Sequence, residues 1–227
     1  MARNPVRRIG EDVTELFAHP GGWAAGPMVH VLNFFNRRGN RLVADALGVR
    51  PGHRVLEVGF GGGAAIPTTM AALDGDGMLC GVDLSADMAR LAAGRFRNSA
   101  GDVTPLFACA DVERLPLKSQ SFDRAYAMHS HLYWPSPLTG IREMHRVLRR
   151  DGRILLGMDV VSGVRLVRWF GRGYKPPDPP ALEELLRTAG FADVSSRTLT
   201  GGIVAVVGTR ATRNGLRGRR APSPRCL

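Results

Sequence analysis

The stretch Val55-Leu56-Glu57-Val58-Gly59-Phe60-Gly61-Gly62-Gly63 decides the fold. A short apolar run that passes straight into glycines reads as a buried parallel strand ending in a turn where the backbone approaches a ligand closely. Residues without a β-carbon adopt positive φ and let a bound group touch the main chain. The helix expected from about Gly63 to Leu73 turns its amide-rich N-terminus toward the same place. The stretch is therefore a turn for a nucleoside cofactor.

Its spacing fits two cofactors. Gly59-x-Gly61-x-x-Ala64 meets the dinucleotide fingerprint, with Asp83 about twenty residues on, where a ribose-binding acid belongs. The same residues also read Glu57-x-Gly59-x-Gly61-x-Gly63, which resembles motif I of the class I S-adenosylmethionine-dependent methyltransferases. An acid two residues before the first glycine repels a pyrophosphate but suits a cationic amino-acid end. Glu57 tilts the choice to S-adenosylmethionine.

Downstream residues extend the pattern. The second strand, Met78 to Val82, ends at Asp83-Leu84-Ser85, so the Asp83 carboxylate faces the crevice of the glycine turn and can accept both ribose hydroxyls. The competing role for Asp83 is the N-cap of a helix over Ala86 to Asn98, a place that Ser85 can fill instead. Met88, in the first turn of that helix, is either an adenine contact or a core methionine. The third strand, Leu106 to Ala110, delivers Asp111-Val112-Glu113-Arg114-Leu115-Pro116, followed by Ser121-Phe122-Asp123, and this looks like the corresponding motif of the same family. The resemblance implies that Asp111 accepts from the adenine amine and that the Val112 amide meets a ring nitrogen. Leu84 and Met128 complete the donor contacts it implies.

The fourth strand, Arg124 to Met128, exits into His129-Ser130-His131-Leu132-Tyr133-Trp134-Pro135. Strand ends of an open α/β sheet face the ligand, so this segment rims the space in front of the methyl group. His129 and His131 are the candidate catalytic residues, since either can take a proton from an acceptor near neutral pH; the alternative is a neutral loop histidine. Tyr133 and Trp134 read as gate or core. Both histidines with Asp159 make a conceivable metal set, but none has tight helical spacing and no metal is expected.

The rest of the chain sets the architecture. A helix over Ile141 to Arg149, a turn at Asp151-Gly152 and a strand through Ile154-Leu155-Leu156 are similar to the family's closing unit, with Asp151 where Pro or Gly is more usual. A helix from Pro180 to Ala189 precedes two runs, Phe191 to Val194 and Gly202 to Gly208, too close together for a crossover and hence antiparallel. The fold expected is α/β: a Rossmann-like, doubly wound, seven-stranded sheet, mostly parallel, with an antiparallel terminal hairpin strand. Residues 49–210 would form this methyltransferase domain. Residues 1–48 would form a helical cap with helices over Asp12 to Ala18 and Gly26 to Leu47, acting as a brace or as a lid whose Trp23, Phe34 and Phe35 line an apolar pocket. The segment Val160 to Pro180, with Trp169, Phe170 and Tyr174, is either a substrate-contacting excursion or a surface loop.

Composition bounds the function. The 227 residues suit one full core with modest extensions, no stretch approaches the about 18 apolar residues of a spanning helix, and Met1-Ala2-Arg3-Asn4-Pro5 lacks the apolar run of a secretory signal. The expected location is the cytoplasm. Cys80, Cys109 and Cys226 have no paired spacing and read as free thiols. Of the net charge of +11, Arg210, Arg213, Arg217, Arg219, Arg220 and Arg225 supply six charges, five of them in a basic, disordered tail expected over 211–227, so much of the excess belongs to the tail. No aromatics interleave with these arginines as a base-stacking surface would require, so no specific nucleic acid is expected, and membrane contact is at most peripheral.

The resemblance, closest to quinone and sterol methylating enzymes, implies methyl transfer from S-adenosylmethionine to a small, hydrophobic acceptor (lipid, quinone or specialised metabolite), with S-adenosylhomocysteine as product and a monomer or homodimer as the working form. A nicotinamide-dependent oxidoreductase, an RNA methyltransferase using the tail and a binding module without turnover are the competing readings.

Overall fold

The structure is a computed structural model and describes residues 42–97, 103, 105–159, 178–199 and 202–211. The expected helix at 12–18, most of that at 26–47, the aromatic segment up to residue 177, and all of the tail beyond residue 211 lie outside the described residues.

Twelve elements follow in chain order: α1 (Val43–Leu47), β1 (Arg54–Val58), α2 (Ile66–Leu73), β2 (Met78–Asp83), α3 (Ala86–Phe96), β3 (Leu106–Cys109), β4 (Phe122–Met128), α4 (Pro137–Val147), β5 (Leu148–Asp159), α5 (Pro179–Thr188), β6 (Phe191–Thr198) and β7 (Ile203–Arg210). The seven strands form one sheet in the order β3-β2-β1-β4-β5-β7-β6. The first five run parallel, and β7 lies antiparallel between β5 and β6. This is the mostly parallel sheet with a terminal antiparallel hairpin that the sequence implies.

Strand alternation splits the core in two. Leu56 and Val58 of β1 face a cluster built with α4 and α5 (Ile141, Met144, Leu182, Leu186), whereas Val55 faces a cluster built with α1, α2 and α3 (Leu47, Ile66, Leu73, Phe96). With helices on both faces, β1 and β2 are buried almost continuously, as parallel strands require.

Several boundaries differ from expectation for local reasons. Gly63 sits at φ 67, outside the helical region, so α2 starts at Ile66 with Pro67 in its first turn. Helix α4 runs from Pro137 to Val147, ending at Val147 where Leu148 turns to extended φ/ψ and opens β5. Residue Asp151, at φ 61, lets the chain loop out and rejoin: β4–β5 pairing passes from Phe122↔Leu148 to Arg124↔Arg153. Strand β6 extends through the polar Ser195–Thr198 because it is the outer strand, largely exposed along this half.

Candidate functional site

Strand order reverses between β1 and β4, the switch point where open α/β sheets bind ligands beyond their carboxyl ends. Four bonds stitch the strand ends together across it. The Ala110 amide donates to the Asp83 carbonyl (2.9 Å), the Gly59 amide to the Val82 carbonyl (2.7 Å), the Ser130 hydroxyl to the Val58 carbonyl (2.7 Å) and the His129 amide to the Gly157 carbonyl (2.8 Å). The rim is thus continuous from β3 to β5.

The glycine turn does what its composition requires. Gly59, Gly61 and Gly63 have φ of 69, 48 and 67, and a β-carbon on Gly59 would overlap the Ser130 side chain. Asp83, 9% exposed, takes the Gly61 amide on Oδ2 (2.8 Å) and the Ser85 amide on Oδ1 (2.9 Å). The helix cap falls to Ser85, whose Oγ accepts from the Met88 amide at 3.3 Å. Asp83 therefore ties the glycine turn to the end of β2 instead of capping α3.

At the end of β3, Asp111 is exposed and its Oδ1 accepts from the Glu113 amide (2.9 Å), capping a short 3-10 turn over Val112–Arg114 in which Val112 is buried. Leu84 is 51% exposed beside Asp83. Met128 is nearly buried where Gly157 leaves room for its sulfur. Met88 is fully buried with Ala92 and Phe96 in the inner stripe of α3. The core reading describes it, because helical spacing turns that stripe to the sheet, and it offers no surface to a donor.

Glu57 lies beneath the turn, 3% exposed, on the α2 side of the sheet. The Tyr126 hydroxyl donates to its Oε2 at 2.8 Å and is itself 3.0 Å from the Thr69 hydroxyl. Burial pushes the Glu57 carboxyl up to about 8; the Tyr126 hydrogen bond opposes this and the nearby Asp83 charge adds to it. Tyr126 and Thr69 escape a reading of the sequence because both look like ordinary members of apolar elements. The available signal is a tyrosine hydroxyl within a buried strand, which needs a polar partner.

Beyond β4, His129 has φ 64 and leads the 3-10 turn Ser130–Tyr133. His131 is 3% exposed, and among the described residues neither ring nitrogen has a hydrogen-bond partner. Burial drives its pKa down to about 3, with the neighbouring His129 adding to the effect, so the ring is neutral at physiological pH. Its ring stands edge-on to Trp134 at 6.1 Å, and Trp134 and Val112 both press on Gly140 of α4. Among the described residues no cluster of three or more His, Cys, Asp or Glu side chains is placed to hold a metal.

Positive-φ glycines, with the strand-end acid Asp83 bonded to the Gly61 amide, lie at the switch point of the sheet. Together with the strand order they define a nucleoside-binding α/β domain. Residues 56–156 match the family described as Methyltransferase domain. A demethylmenaquinone methyltransferase of Clavibacter sepedonicus is 34% identical over 194 residues, 72% of this chain and 76% of that protein. The methyltransferase GfsG of Streptomyces halstedii is 32% identical over 145 residues, 64% of this chain; the match spans 51% of GfsG's length. A solved S-adenosylmethionine-dependent methyltransferase from Aquifex aeolicus shares the fold, with a TM-score of 0.66 at 17% identity over 81% of this chain and 97% of that one. The chain belongs to the S-adenosylmethionine-dependent methyltransferases, and S-adenosylmethionine is its cofactor. The nicotinamide reading is set aside.

Proposed function

We propose that the protein methylates a small hydrophobic acceptor at the switch point between β1 and β4. Gly59, Gly61 and Gly63 with Glu57 hold the donor's amino-acid end, Asp83 the ribose, and Asp111 and Val112 the adenine, flanked by Leu84 and Met128. The sulfonium donor supplies an activated methyl group, so alignment and exclusion of water provide most of the acceleration. The helical cap expected over residues 1–48 is read as covering the acceptor side; its described end, α1, buries Val43, Ala44 and Leu47 in the core, as the brace alternative also requires.

One observation carries the acceptor reading: His131, neutral and buried, with both ring nitrogens unpartnered among the described residues, beside Trp134. An unpaired buried polar group costs about 1–3 kcal/mol, which an acceptor hydroxyl or carbonyl offsets by bonding to it. His131 thus orients the acceptor instead of storing its proton, and His129, less buried, is the candidate base. The quinone named in the Clavibacter relative is one member of the hydrophobic class.

The test is formation of S-adenosylhomocysteine with a panel of quinols, polyketide phenols, sterols and short RNAs. Turnover on an apolar acceptor, with KM raised and kcat less affected in His131→Phe, supports the reading. Turnover on RNA alone overturns it.

A further inference from the structure

The Thr69–Tyr126–Glu57 chain lies beneath the glycine turn. Its direction is fixed by hydrogen-bond bookkeeping. Tyr126 has one proton and donates it to Glu57, so the Thr69 hydroxyl must donate to Tyr126. Two hydroxyls in series therefore point their positive ends at one carboxyl group, an arrangement that favours its charged form.

Burial works against that charge, and no described cation offsets it. Of the elements packed around Glu57, β4 presents Tyr126, α2 presents the uncharged Thr69 hydroxyl and β2 presents the acid Asp83, a like charge. Among the described residues no lysine, arginine or histidine pairs with it. Without a cation the balance keeps the carboxyl protonated near neutral pH.

We infer that donor binding is proton-linked: Glu57 is an uncharged acid in the unliganded protein and gives up its proton when a cationic donor binds, with Tyr126 as the positioning residue that holds the resulting carboxylate. The Glu57 O–H bond breaks, the proton passes to the buffer, and the charge left behind meets the donor's positive charge. This rests on the placement of the donor's amino-acid end proposed above.

Calorimetric titration of the whole protein with S-adenosylmethionine at pH 7, in buffers of different ionisation enthalpy, reads the number of protons released. The wild type is expected to release about one proton more than Glu57→Gln, and its Kd to tighten by up to about tenfold per pH unit between pH 6 and 7 relative to that variant. The comparison cancels titration of the donor's own amino group. Tyr126→Phe, which keeps Glu57 but removes its donor, is expected to move the midpoint of the wild-type pH profile upward, a shift that mere loosening of the core does not produce. Should Glu57→Gln fail to fold, infrared difference spectra of the wild type remain, with loss of a protonated-carboxyl band on binding as the expected signature. Equal proton numbers in wild type and Glu57→Gln, or no such band loss, overturn the inference alone. Absence of binding heat in the wild type overturns the donor-site placement and the inference with it.

Discussion

The Ser130 hydroxyl donates to the Val58 carbonyl at 2.7 Å, and its side chain fills the space where a β-carbon on Gly59 would lie. The exit of β4 is therefore clamped onto the start of the glycine turn.

Gly59→Ala tests that clamp. Alanine at φ 69 carries about 1–3 kcal/mol of backbone strain, and the overlap with Ser130 adds to it. The expected outcome is a Tm several degrees lower and donor affinity weakened at least about tenfold. Adding Ser130→Gly removes the overlap but not the strain, so the double variant should recover part of the loss. Additive losses in calorimetry and thermal melts would show that the two sites are uncoupled.

Asp83→Asn tests the bridge from β2 to the turn. The carboxylate accepts from the Gly61 and Ser85 amides at once. An amide side chain offers one accepting oxygen and turns an NH2 donor against the other backbone N–H, losing about 1–3 kcal/mol. Donor Kd should rise by one to two orders of magnitude, about the equivalent of that energy, while the Ser85 cap keeps α3 intact in circular dichroism.

The parts of this protein legible in its sequence are those where backbone need and residue type coincide. Gly59, Gly61 and Gly63 announce a turn that only glycine fits, and two closely spaced terminal runs can pair only as a hairpin. Ser85 announces itself as the α3 cap, leaving Asp83 for the crevice. What stays hidden depends on which distant side chains meet. Nothing local says that Tyr126 and Thr69, 57 residues apart, share a hydrogen bond beneath Glu57, or that Ser130 lies on Gly59. Met88 is ambiguous in sequence because a buried stripe and an adenine contact use the same residue type; only the packing of α3 on the sheet decides it.

Glu57 and His131 make stability depend on pH in opposite senses. The folded-state value of His131 falls from 6.5 to about 3, so the unfolded chain binds more protons between them and stability drops as pH falls below 6.5. That of Glu57 rises from 4.5 to about 8, so its contribution is full below 4.5 and is lost as pH rises through 8. Between about 4.5 and 6.5 the two slopes cancel. These groups therefore give a plateau there, a fall of about 2 kcal/mol from pH 6.5 to 8 and another of about 2 kcal/mol from pH 4.5 to 3. Urea unfolding across pH checks this. Glu57→Gln should flatten the alkaline limb and extend the acid slope up to about pH 6.5, whereas His131→Phe should flatten the acid limb and extend the alkaline slope down to about pH 4.5; a variant that leaves its own limb unchanged sinks the assignment for that residue.

Two helix glycines separate backbone propensity from packing. Gly94, exposed within α3, has no atom within 4 Å of where a β-carbon would stand, so Gly94→Ala should stabilise by about 0.5–1 kcal/mol and leave donor binding unchanged. In α4, by contrast, a β-carbon on Gly140 would stand 2.8 Å from the Trp134 ring and 3.2 Å from Val112 Cγ1. The same propensity gain applies to Gly140→Ala, but the indole is a rigid plate set against α4 and His131 and cannot yield as the tip of a flexible chain would. Overpacking of this kind costs about 1–3 kcal/mol, which outweighs the gain, so Gly140→Ala should lower Tm. It should also shift Trp134 fluorescence and weaken adenosine-containing ligands through Val112. A Gly140→Ala protein as stable as Gly94→Ala, with unchanged fluorescence, would mean that Trp134 has room to move and that its packing on α4 is softer than the distances indicate.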